Sequence, residues 1–296
     1  MMKASKFWLS LGDRATNVVF NAIIGALKLL PYPQRLALMS WVTRRIIGPL
    51  IGYRRRTLDN LALIYPDMPI ARRREIAEDV LDNVGRTIIE NYSAEEFRAR
   101  MAHFKIEGEG FEAAKKARSE GRAIIFSSGH WSNHEAAPMA LDMAGFRMCG
   151  IYKPMANPYF NARYEARMAQ VSGPIYPIGA KGTRDFMAYI RDGGHGYLLH
   201  DVYYDRGEWI DFLGKPAKTA ISAAEIALRY DALLMPYFTT RQADGISFKI
   251  ELYAPITPSD PITMTRNLVR HLDEKVAENP GQWLWIHRRW KGAPAE

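Results

Sequence analysis

The sequence predicts an α/β fold, a mixed and mostly parallel sheet flanked by helices, preceded by an N-terminal helical segment of different character. Three observations carry this. From about residue 104 onward, short apolar runs alternate with helix-length stretches, the pattern that places helices on the faces of a sheet. An Asp244–Gly245 turn signal joins the last two strand-like runs, so that pair is expected to be an antiparallel hairpin. The first 60 residues hold ten Lys and Arg against only Asp13 and Asp59, and they contain the most apolar run of the chain.

That apolar run is "NVVFNAIIGALKLL", residues 17–30, broken only by Asn21, Gly25 and Lys28. As a helix it would span roughly 21 Å, short of a hydrocarbon core of about 30 Å. A second patch, "LALMSWVTRRIIGPLIGYRRR", mixes apolar surface with Arg44, Arg45 and Arg54–Arg56. Basic residues such as Lys3, Lys6 and Arg14 would sit at the headgroups while the apolar face dips into the bilayer. Residues 1–60 are therefore expected to form a membrane-anchoring segment and residues 61–296 an α/β domain on the cytoplasmic side, by the positive-inside bias. The competing reading is a buried helical hairpin. No small-residue cleavage site follows the first run, so a removed signal peptide is not expected.

Outside this segment the charges balance at thirty of each sign, so the basic excess does not coat a nucleic-acid reading surface. The single cysteine, Cys149, rules out a disulfide framework and a Cys-rich zinc site.

In the body, strands are expected at 123–127, 147–152, 196–200, 233–239 and 248–253. Helices are expected at 110–120, 135–144, 158–171, 183–192, 218–230 and 263–278. Sites in open α/β sheets form at the carboxyl ends of strands. Two polar loops follow core strands in this way: "GHWSNHE" at 129–135 and "HDVYYDRGE" at 200–208, and they could face one cleft.

The first loop admits three chemistries. His130 and His134 are four apart, but neither zinc-protease order is met, because Asn133 precedes His134 and Glu135 follows it. Ser127 and Ser128 do not form a nucleophile elbow. An acid/base pair remains, with His130 as base and Glu135 reaching back from a helix first turn to fix its tautomer. Asn133 and Glu135 equally suit a plain helix start, one as cap and the other toward the dipole. Spacing alone leaves those two readings level.

"GHWSNHE" resembles the H-x4-D/E block of the glycerolipid acyltransferases, and in particular the late acyltransferases of lipid A biosynthesis. The resemblance extends to "NLALIYPDMP" (60–69), "NVGRTIIE" (83–90), "YKPMANP" (152–158), "DFLGKPAKT" (211–219) and "NPGQWLWIHRRWK" (279–291), nearly the whole chain. It implies a glycerolipid-acyltransferase-like fold and transfer of a fatty acyl group from an acyl carrier protein thioester to a hydroxyl of a lipid A precursor. It implies His130 and Glu135 as the catalytic dyad, with no metal or organic cofactor. Arg167 and Asp201 match family positions at the active site. Asn133, Lys153 and Arg184 are further expected to touch substrate, Arg184 with a surface helix start as the equal alternative. Arg288, Arg289 and Lys291 are candidates for phosphate or carrier contacts, with packing of that C-terminal cluster against the sheet an equal alternative. The expected location is the cytoplasmic face of the inner membrane. Ser132 and His134 stand where the family usually has Gly and Trp. Another glycolipid acceptor, such as a phosphatidylinositol mannoside, and a non-catalytic peripheral membrane protein are the competing readings.

Overall fold

A computed structural model describes residues 2–293, without the side chains of residues 2–11 and Ala15. The expected headgroup contacts of Lys3 and Lys6 lie outside the described side chains. The described residues open with α1 (Met2–Lys28), α2 (Tyr32–Val42), a π-helical stretch (Thr43–Ile47), α3 (Gly48–Leu50), α4 (Tyr53–Ile64), α5 (Ile70–Tyr92) and α6 (Ala94–Met101). The sheet region follows as β1 (Ile106–Glu107), α7 (Gly110–Ser119), β2 (Ile124–Ser128), α8 (Ala136–Met143), β3 (Met148–Tyr152), α9 (Pro158–Ser172), β4 (Ile175–Pro177), α10 (Ala180–Arg191) and β5 (His195–Leu199). A ribbon of β6 (Glu208–Phe212) and β7 (Lys215–Thr219) comes next, then α11 (Ser222–Arg229), β8 (Leu233–Arg241), β9 (Phe248–Leu252) and α12 (Pro261–Glu278).

The main sheet has the order β1-β9-β8-β2-β5-β3-β4. Every pairing is parallel except β8 with β9. Strand β2 is central and buried throughout, as a continuous apolar run requires. Its Ile124 and Phe126 join the core under α6 to α9, while Ile125 joins the core under α10 and α11. The expected hairpin is present: Tyr237 faces Leu252, and Asp244 Oδ1 accepts the Ile246 and Ser247 N–H groups at 2.8 Å around Gly245.

Local chemistry starts α9 and α12. Asn157 Oδ1 accepts the N–H groups of Tyr159 and Phe160 ahead of α9, and Asp260 does the same for Ile262 and Thr263 ahead of α12. Each cap is followed by a proline, whose fixed φ suits a first turn and whose missing N–H costs nothing there.

The expected helix at 218–230 begins later, at Ser222, because Lys215–Thr219 pairs with Glu208–Phe212 as a ribbon. Its two turn residues, Leu213 (φ 52°) and Gly214 (φ 77°), are both left-handed, as a type I′ turn needs. Leucine is a poor signal for such a turn, so the sequence hides the ribbon. Strands β1 and β4, of two and three residues, were too short for periodicity to reveal.

In the N-terminal region, Ile24 and Leu27 of α1 and Tyr32, Leu36 and Met39 of α2 pack against Ile89 of α5. Their outward neighbours Val18, Val19, Ile23, Leu38 and Trp41 remain exposed, Val18 at 65% and Trp41 at 50%. Among the described residues no helix is long and apolar enough to cross a membrane.

Candidate active site

Strands β2 and β5 run side by side in the same direction, so the loops leaving their carboxyl ends meet. His200 N donates to Ser128 O at 3.1 Å, which continues the ladder one step and sets Asp201 beside Gly129 and His130. Asp201 then holds His130 twice. Its Oδ1 lies 2.8 Å from ring Nδ1, and its Oδ2 accepts the His130 backbone N–H at 2.7 Å. A third donor, Trp283 Nε1, reaches Oδ2 at 2.8 Å. A Cβ on Gly129 would stand 3.1 Å from that oxygen and 2.7 Å from Leu272, so glycine lets the carboxylate close in.

Asp201 is 1% exposed. Burial works against its charge, yet the His130 imidazole beside it and its hydrogen bonds outweigh that and hold its pKa well below the usual carboxylate range. Burial likewise pulls the His130 pKa down, but the charge and hydrogen bond of Asp201, with a smaller push from Glu135, leave it above the ordinary histidine value. A carboxylate on Nδ1 assigns the proton there and leaves Nε2 to act as base.

Glu135 does not reach the His130 ring, where the sequence had placed it. The helix begins at Ala136, one residue past Glu135, and the buried carboxylate turns toward His134, with Oε1 3.5 Å from Nε2. Four residues separate Glu135 from His130, and the partner of His130 comes instead from the loop after the neighbouring strand β5. Glu135 acts on His130 through its charge, not a hydrogen bond.

Asn133 is not at the cleft either. It is 0% exposed, with Oδ1 accepting the Glu135 N–H and Nδ2 donating to Glu90 Oε2 at 2.9 Å and Asn91 Oδ1 at 3.3 Å. Arg167 stacks over the Tyr92 ring at 4.1 Å and donates to Tyr92 O at 2.9 Å. It lines a separate groove with Lys28 and Arg163. Lys153, just past β3, and Arg184, on α10, are exposed and line neither place. Of the C-terminal cations, Arg289 is fully buried and donates to Val202 O, Lys218 O and Thr219 Oγ1, which braces the Asp201 loop. Arg288 and Lys291 are exposed.

A cleft of about 210 Å³ opens above His130, between α5 (Val80, Val84, Ile88) and Leu284 and Ile286. Its walls are mostly apolar, with Asn83, Thr87, Ser132 and Gln282 as polar members, around an imidazole whose side chain is 22% exposed. His134 and His287 stand edge-on to the His130 ring, with centroids 5.0 and 4.8 Å away. Burial, with the neighbouring His130 charge, pushes the His287 pKa down to about 4, so it is neutral at physiological pH. Among the described residues no group of three or more His, Cys, Asp and Glu is arranged to hold a metal ion. Cys149 is buried, and burial pushes its thiol pKa far up, so it is no nucleophile.

Ser132 has φ 48°, a left-handed conformation that a side chain resists and that the glycine of the resembling family adopts freely. The loop is pinned there by Ser132 N to Gln282 O at 2.7 Å and by Leu284 N to His130 O at 3.0 Å. Sequence reasoning missed Trp283, Glu90 and Arg241 as supports of this loop. Two of them lie inside blocks that carried the family resemblance, "NVGRTIIE" and "NPGQWLWIHRRWK".

An imidazole–carboxylate pair under a mostly apolar cleft, at the carboxyl ends of parallel strands, is an arrangement suited to acid/base chemistry beside an apolar group. The family model for bacterial lipid A biosynthesis acyltransferases matches residues 4–292, and the chain belongs to that family. It is 23% identical over 251 residues to the lipid A biosynthesis acyltransferase of Haemophilus influenzae, covering 81% of this chain and 78% of the relative. It is 22% identical over 248 residues to the lipid A biosynthesis myristoyltransferase of Escherichia coli, covering 79% and 73%. To the lipid A biosynthesis lauroyltransferase of the same organism it is 22% identical over 241 residues, covering 79% and 78%. The protein is an acyltransferase.

Proposed function

We propose that this enzyme moves a fatty acyl chain from an acyl carrier protein thioester to a hydroxyl of a lipid A precursor, with His130 as general base. The observation that carries the mechanism is the double hold of Asp201 on His130, which fixes the tautomer and leaves Nε2 as the working nitrogen. Nε2 takes the proton as the acceptor hydroxyl attacks the thioester carbonyl. Collapse of the tetrahedral intermediate breaks the carbon–sulfur bond, and His130 returns the proton to the departing thiolate. Asp201 stabilises the imidazolium in between, and the charge of Glu135 adds to that. A thioester is already activated, and Cys149 is sealed in the core, so direct transfer without an acyl-enzyme fits the site.

The acceptor class rests on the family and on its named relatives. Membrane association rests on the outward face of α1 and α2, where Val18, Val19, Ile23, Leu38 and Trp41 are exposed beside a basic segment. The groove holding Lys28, Arg163 and Arg167 offers cations for phosphate on the acceptor or on the carrier's prosthetic arm.

The deciding experiment is His130→Ala in purified enzyme, assayed with acyl carrier protein thioester and a tetra-acylated lipid A precursor. Loss of turnover by ~10²–10⁴-fold is expected for removal of a general base. Near-wild-type turnover sinks the mechanism, and an acyl group trapped on Ser127, Ser128 or Cys149 replaces direct transfer with a covalent route. Deleting residues 1–30 should release the protein from the membrane fraction.

A further inference from the structure

The loop that carries His130 is not held by its own helix. Asn133 is completely buried, and its amide reaches Glu90 Oε2 at 2.9 Å. Glu90, also 0% exposed, is gripped from the other side by Arg241, with Nη1 to Oε1 at 2.5 Å and Nη2 to Oε2 at 2.8 Å. Arg241 Nε donates to Asn83 Oδ1 at 2.8 Å, and Asn83 Nδ2 donates to Gly281 O at 3.1 Å. Gln282 closes the circuit: its Nε2 donates to Arg241 O, while its own carbonyl accepts Ser132 N. Two turns of α5, the end of β8 and the segment after α12 therefore converge on residues 132–133.

Two features separate this from ordinary packing. A buried ion pair seldom adds net stability over an apolar replacement, so its presence beside a catalytic loop points to fixing one geometry. Every polar atom of the Asn133 amide is engaged, two donors and one acceptor, which excludes substrate contact and leaves only the orientation of the loop for it to set. We infer that Glu90, Arg241 and Asn133 form a buried clamp whose task is to position the His130 loop, with Asn83 as its tie to the C-terminal segment. These are positioning residues: none lines the cleft with His130 except Asn83. The inference rests on His130 being the base.

The clamp is tested with Asn133→Ala, Glu90→Gln and Arg241→Lys in the full chain, each checked for cooperative thermal unfolding. The readouts are kcat and KM separately, and the downfield proton signal of the His130 Nδ1–H···Asp201 bond. The expected result is a fall in kcat of ~10–10²-fold with KM changed by less than about twofold, as a displacement near 1 Å at the reacting group produces. The downfield signal should shift or broaden. If the charged variants fail to fold, Asn133→Ala decides alone, since it strands no charge. A folded Asn133→Ala enzyme with kcat within twofold of wild type and an unchanged proton signal overturns the clamp. His130→Ala separates the two ideas: if it stays active the mechanism has failed, and if it is dead while Asn133→Ala is normal only the clamp has.

Discussion

Asp201 touches His130 at two points, ring and backbone, so one carboxylate sets both the tautomer and the place of the base. Asp201→Asn keeps the shape but removes the charge and should lower kcat by at least ~10²-fold, as for other orienting carboxylates. The pH profile gives a second check. The base proposed is neutral His130, and its pKa lies above the ordinary histidine value because Asp201 and Glu135 outweigh burial. The acid limb of kcat/KM should therefore fall at higher pH than for an ordinary histidine in wild type and move to lower pH in Asp201→Asn. The stability linkage has the matching sign: the raised imidazole stabilises the fold below its unfolded pKa and loses that contribution as pH rises through the folded one.

Glu135→Gln tests the lesser carboxylate. It has no hydrogen bond to His130 and acts only through charge. Its kcat should fall much less than that of Asp201→Asn, with a smaller downward move of the same acid limb. Equal losses in the two variants contradict the arrangement described.

Ser132→Gly should stabilise the fold. The left-handed φ of 48° is costly for a residue with a Cβ and free for glycine. The gain should be about 1 kcal/mol in denaturant unfolding, less the extra entropy of glycine in the unfolded chain.

Trp283→Phe removes the indole donor from a buried, ionised Asp201 while keeping an aromatic ring against Phe212 and Trp290. A hydrogen bond to a charged group is worth ~1.5–3 kcal/mol, so a loss of that order in stability is expected. Activity should fall as well, because the carboxylate that aims His130 is then less firmly held.

Cys149 should resist iodoacetamide in the folded enzyme, with alkylation appearing only on unfolding, because burial disfavours the thiolate. Labelling of native enzyme at the rate of a free thiol contradicts this.

The parallel sheet was legible because β2, β5 and β8 each carry a short apolar run, such as Ile124–Phe126 and Leu233–Phe238, between helix-length stretches, and the hairpin because Asp244–Gly245 is an explicit turn code. Ribbon β6–β7 was not, since Leu213 occupies a position that normally announces itself as Asn or Gly. In the site, His130 stood out for its neighbours in sequence, and the meeting of two loops followed from strand polarity alone. The resemblance pointed to Glu135 as the orienting carboxylate, because spacing, which reports only on residues within a few positions, left a dyad and a plain helix start level. Asp201 sits 71 positions away and becomes a neighbour only through the β2–β5 register. Arg289 illustrates the same limit: the sequence left it level between a phosphate contact and packing against the sheet, and the fold decides for packing, with Arg289 buried and donating to Thr219 Oγ1.

The pinning of the His130 loop by Gln282, Trp283 and Leu284 joins segments about 150 positions apart. Contacts of that separation carry a high loop-closure cost and form late in folding. During synthesis the sheet, the imidazole and Asp201 all emerge before the stretch that locks them. A chain ending before residue 279 should thus hold His130 and Asp201 with the loop unpinned, and should be inactive in the acyl-transfer assay.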